Sequence, residues 1–187
     1  MKLNYQSTYL KYLLLITTGV TTLMLTACSS LAPVKEPISE TEACSRLNEL
    51  IADHPNKFVK HKKNKRPTRR VTIWSATAPF PTANNCEVWE WSSGLHGFVC
   101  DWIGKDGMES AKADYQEAQQ IIRNCLSEPW QAESHSTTSG GQNTVYSKVG
   151  SKTIVSIRYF QETNSIMKNW HTVLYIGDRS NLKAKVK

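Results

Sequence analysis

Four cysteines, Cys44, Cys86, Cys100 and Cys125, constrain this chain more than any other feature. They matter because of what precedes them. Lys2 and Lys11 give a positive start without acidic residues, and residues 12–25 form an apolar run that leads into small residues. That run is shorter than the ~20 residues needed to cross a bilayer. It reads as a secretory segment, residues 1–27, that is removed on export. An exported chain meets an oxidising compartment, where disulfides persist. Four cysteines allow three connectivities.

Local patterns favour one of the three. "CEVWEW" (86–91) and "LHGFVC" (95–100) flank Ser92-Ser93-Gly94. A three-residue hairpin loop takes glycine last, where a left-handed backbone is needed. In that register Cys86 faces Cys100, Val88 faces Phe98 and Trp91 faces Leu95. A first helix is expected from Ser39, which has capping-box spacing to Glu42. Ala43, Leu47, Leu50 and Ile51 repeat at helical spacing with Cys44 beside them, up to Asp53-His54-Pro55. A second helix is expected over 109–126. Ala111, Tyr115, Ala118, Ile122 and Cys125 form its apolar stripe, and Pro129 follows. Cys44 with Cys125, and Cys86 with Cys100, satisfies both patterns.

Further strands are expected at 71–77, 130–136 and 170–176, and in a hairpin of "TVYSKV" and "KTIVSIRYF" around Gly150-Ser151. The order α-β-β-β-α-β-β-β-β predicts an α+β domain over 41–177. It has a largely antiparallel sheet with two helices on one face and two disulfides. Residues 28–40, with Pro33 and Pro37, read as a tether, and residues 178–187 as a flexible basic tail.

The fifth cysteine has a separate reading. Leu25-Thr26-Ala27-Cys28 resembles the lipobox of bacterial lipoproteins. The resemblance implies that Cys28 becomes the acylated first residue of the mature chain. Ser29 in the next position implies an outer-membrane address with the domain facing the periplasm, or the cell surface if it is flipped. Several acyl chains anchor stably where one does not. The membrane is therefore the first expected partner, held through Cys28.

The mature chain would carry 21 basic and 16 acidic side chains. Its positive charge is concentrated in one run: Lys57, Lys60, Lys62, Lys63, Lys65, Arg66, Arg69 and Arg70. Such a run predicts a solvated loop that attracts anions. Few aromatics accompany it, which argues against a nucleic-acid stacking platform. Trp89 and Trp91 share the hairpin face opposite Val88 and Phe98, so they are either covered or a sticky surface.

His54, His61, His96, His135 and His171 lack zinc spacing. No nucleophile elbow or phosphate-cradling loop is present. No cofactor, metal or catalytic group is expected. The sequence therefore predicts a non-enzymatic binding or scaffold lipoprotein for an anionic envelope component or a partner protein. The alternative is an inhibitor or immunity protein against an envelope-active toxin or hydrolase.

Overall fold

A computed structural model of the chain describes residues 38–77, 80, 83–104, 107–163 and 168–180. The secretory segment, Cys28, the tether up to residue 37 and residues 181–187 lie outside the described residues.

Helix α1 spans Glu40–Asp53. Ser39 caps it, its side chain accepting from the Glu42 N–H at 3.2 Å. Helix α2 spans Met108–Cys125 and buries Ala111, Tyr115, Ala118 and Ile122, the predicted stripe. The eight strands are β1 (Lys62–Pro67), β2 (Val71–Ala76), β3 (Asn85–Trp91), β4 (His96–Gly104), β5 (Gln131–Ser136), β6 (Gln142–Ser147), β7 (Thr153–Gln161) and β8 (Trp170–Asp178). They form one antiparallel sheet in the order β1-β2-β3-β4-β8-β7-β6-β5.

Each half of the domain runs helix then four strands. Exchanging the halves leaves the sheet order unchanged, with β4 and β8 paired at its centre. The two halves are therefore topological equivalents, although the sequence carries no repeat strong enough to show it.

The fold class is as expected: α+β, one antiparallel sheet, both helices on one face. Both predicted disulfides are present, Cys44–Cys125 and Cys86–Cys100. The first joins α1 to α2. The second lies within the β3–β4 hairpin, whose register places Cys86 opposite Cys100 and Val88 opposite Phe98. Gly94 closes that hairpin at φ 85°, the left-handed conformation its position requires.

Under the helices, alternate strand residues make the core. Val88, Phe98, Ile157, Leu174 and Ile176 are fully buried there with Leu47 and Ile122. Several polar groups that enter this layer are paired. Tyr115 Oη and Thr144 Oγ1 lie 2.7 Å apart, and Thr172 Oγ1 donates to the Ala111 carbonyl at 2.6 Å.

The basic run differs from expectation. It is not a solvated loop along its length. Lys57 and Phe58 both adopt left-handed backbone angles, φ 61° and 54°. That turn drives the Phe58 ring into the core, where it is fully buried. Residues 62–67 then form β1, an edge strand. Lys62 and Lys65 place their ammonium groups 5.3 and 5.2 Å from the Trp74 ring centre. Lysine on an edge strand discourages pairing with another chain, so an edge needs the charge that made this segment look like a loop. The C-terminal boundary also moves. Asp178 belongs to β8, and its carboxylate accepts from the His96 N–H at 3.0 Å.

Candidate functional site

Strand alternation sends every second side chain to the face that carries no helix. That face is concave and encloses a groove of about 840 Å³. Strand β3 contributes Glu87, Trp89 and Trp91, and β4 contributes Val99 and Asp101. From β8 come His171, Val173 and Tyr175, from β7 Ser156, Arg158 and Phe160, and from β6 Asn143 and Val145.

Two glycines shape its centre. Gly97 and Gly177 face each other across β4 and β8. A Cβ on either would collide with the Tyr175 ring, and one on Gly177 would also strike the His96 carbonyl. Their absent side chains let Tyr175 lie against the backbone, where its hydroxyl donates to the Asp178 carbonyl at 2.9 Å.

Trp89 and Trp91 are half-buried in this groove, with ring centres 5.7 Å apart. Neither ring is covered completely by a second layer. Trp89 Nε1 donates to Glu87 Oε2 at 2.9 Å, and Arg66 holds the other Glu87 oxygen at 3.2 Å. Through that pair Arg66 reaches the groove rim, yet none of the eight basic side chains of the run lines the groove. Lys62 is engaged elsewhere, with Glu90 at 3.2 Å. Lys57, Lys60, Lys63, Lys65, Arg69 and Arg70 are exposed along the β1 edge and its flanking turns. The structure thus separates two features that the sequence placed side by side: the aromatic face and the cationic edge.

The groove lining also includes His135 and the exposed Arg179, and two further sets of charged groups have defined surroundings. His171 sits between two carboxylates, Nδ1 3.4 Å from Asp101 and Nε2 3.7 Å from Glu162. Burial raises the Asp101 carboxyl above its ordinary range, and His171 partly offsets that. Phe160 stacks on His171 with ring centres 6.0 Å apart, and the Arg158 guanidinium carbon lies 4.6 Å from the Phe160 centre. Arg158 is half-buried, and among the described residues no carboxylate comes within ion-pair distance of it. Burial lowers its guanidinium pKa, with no neighbouring charge to offset it.

Arg158 escaped the sequence reading, as did Asp101, Tyr175, Phe160 and a role for His171. A signal existed for Arg158. In "TIVSIRYF" (153–160) the alternation puts Ile154, Ser156, Arg158 and Phe160 on one face, so Arg158 is the one charged residue of a strand that is otherwise apolar, hydroxyl-bearing or aromatic.

Three of the remaining four histidines are buried. His54, His61 and His96 all lie inside, each facing a carboxylate: Asp178 at 3.4 Å, Asp53 at 3.8 Å and Glu90 at 3.5 Å. Burial pushes His96 below its ordinary value, against the pull of Glu90. Burial also works to raise Glu90, but Lys62 and His96 win and hold it low. His135 is exposed on β5. Among the described residues no His, Cys, Asp and Glu cluster is placed to hold a metal ion.

The fold and this face define a class: a single-sheet α+β domain, helices on one side and an aromatic groove with an unpaired arginine on the other. No family model, curated protein or solved structure matches the chain.

Proposed function

We propose that the protein is a lipid-anchored, non-enzymatic binding module of the bacterial envelope, and that the concave sheet face is its binding surface. The observation that carries this reading is the groove: about 840 Å³, with Trp89, Trp91, Phe160 and Tyr175 in its lining around a cation without a partner. Ligand sites have this size and this mixture of apolar walls with few polar groups. Tryptophan and tyrosine are also the residues that dominate binding energy at interfaces.

A catalytic reading has less support. Both His171 nitrogens face carboxylates, so neither is paired with a hydroxyl nucleophile. The Leu25-Thr26-Ala27-Cys28 sequence supports the anchor and an outer-membrane address. The cationic β1 edge supports a second, weaker contact with anionic surfaces nearby.

Val173 lies on the groove floor of a central strand, half-buried between Arg158 and Asp101 in its row. Val173→Trp is expected to reduce partner capture from cross-linked envelopes at least ~10-fold, about 1.4 kcal/mol, while leaving the thermal transition in place. Capture undiminished in a folded Val173→Trp protein would reject the groove as the surface. Cys28→Ala is expected to abolish lipid labelling and leave the precursor uncut. Persistent labelling would reject the anchor.

A further inference from the structure

The groove's occupant can be specified by its charge. Resting on the binding reading above, we propose that the groove takes an amphiphile with one carboxylate, seated on Arg158 and Asn143, and an apolar body lying towards Trp89 and Trp91. Three observations converge on this class of ligand.

The first is the unsatisfied cation. Arg158 and Asn143 are register partners on β7 and β6. Ser156 Oγ donates to Asn143 Oδ1 at 2.8 Å, which leaves the Asn143 Nδ2 hydrogens as donors beside the guanidinium. The sheet cannot neutralise Arg158 internally. Along its row Val173 separates it from Asp101, a distance of about 10 Å at two strand spacings. A guanidinium fork matches a planar carboxylate with two parallel hydrogen bonds.

The second is the sign of the rim. Glu87, Asp101 and Glu162 all face the same groove, whose described lining holds one arginine besides Arg158, the exposed Arg179 after β8, so guanidinium groups there are outnumbered by carboxylates. A ligand with a run of negative charges would be repelled by them, so one anionic group is accepted and a polyanion is not. The third is distance. Strand β7 lies three spacings from β3, about 14 Å across the sheet, and the register puts Asn85, four residues before Trp89, in the row of Arg158, which adds about 13 Å along the strand. The backbones of Arg158 and Trp89 are thus about 19 Å apart; the two long side chains cover part of that span, and an extended apolar body must cover the rest.

The test uses the full chain with Cys28→Ser, so that no attached acyl chain competes for the groove. Dodecanoate and dodecanol are titrated by equilibrium dialysis, and a bromine-terminated dodecanoate reports proximity by quenching tryptophan fluorescence. Saturable dodecanoate binding is expected, with dodecanol at least ~10-fold weaker and Arg158→Met at least ~10-fold weaker. Arg158→Lys keeps the charge without the fork and should fall between. The quenching should be lost in Trp89→Phe/Trp91→Phe. Because Arg158 is an unpaired charge, Arg158→Met should fold at least as stably as the parent, so loss of binding would not reflect unfolding.

Equal binding of dodecanol and dodecanoate, or Arg158→Met binding as well as the parent, would overturn the carboxylate assignment. Absence of saturable dodecanoate binding would overturn the amphiphile proposal altogether. Neither result touches the groove itself, which Val173→Trp capture decides independently.

Discussion

Replacing Cys44 and Cys125 together by alanine is expected to lower the domain's stability by about 4.5 kcal/mol. The bond closes a sequence separation of 81 residues, against 14 for Cys86–Cys100. In the chain-entropy account the longer loop restrains the unfolded chain more. It also joins one helix from each half of the domain, so it restrains the halves against each other. The shorter loop corresponds to about 3 kcal/mol on the same scale, but Cys86 and Cys100 are both buried in the core, and losing them adds a packing cost. Burial therefore separates the two bonds experimentally. Cys44 and Cys125 are only half-buried. Mild thiol reductant followed by alkylation of the native protein should label Cys44 and Cys125 first, and urea unfolding should give the stability loss. Earlier labelling of Cys86 and Cys100, or a loss under 1.5 kcal/mol, would contradict this assignment.

The second large effect is expected at Phe98. Its ring is fully buried between the register partners Val88 and Ile176. It also meets two residues from the turns that follow α1, Phe58 at 5.8 Å and His61 at 5.7 Å between ring centres. Phe98→Ala removes a large core side chain and leaves a cavity, which costs about 3–5 kcal/mol. The loss should not be uniform. Lys57 and Phe58 hold unfavourable left-handed angles, a local cost that persists only where surrounding contacts fix the conformation. Without Phe98 the Phe58 ring loses its packing partner. Amide hydrogen exchange should therefore accelerate most over residues 54–61. Unchanged protection there, or a loss below 1.5 kcal/mol, would show that Phe98 does not hold this turn.

Much of this architecture can be read from local patterns. Helix α2 follows from its i, i+4, i+7, i+11 stripe. The β3–β4 register follows from a glycine-terminated three-residue loop. Both disulfides follow once those two patterns are combined. Each of these rests on neighbours in sequence, where spacing alone fixes the geometry.

Strand β1 could not be read that way. Its sequence, "KKNKRP", has no apolar alternation, because an edge strand exposes nearly all its side chains. Its pairing with β2 is a tertiary fact. The topological equivalence of the two halves was hidden for the same reason, since the missing strand made one half look like three strands.

The groove was half legible. Trp89 and Trp91 stood out by alternation within one hairpin. Arg158 lies on the opposite half of the sheet, and only the β4–β8 pairing at the centre brings β7 onto the same concave face. Gly97 and Gly177 show the same limit. As sequence they are ordinary strand glycines, and only the fold places Tyr175 across both.

The most direct test of the concave face as binding surface is site-specific photo-cross-linking in intact envelopes. One photoreactive side chain replaces Val145 on the groove floor, and another replaces exposed Asn124 on the helix side. Adducts from position 145, lost when Val173→Trp fills the groove and absent from position 124, are the predicted result. Adducts from position 124 alone, or adducts from 145 that survive Val173→Trp, would contradict it.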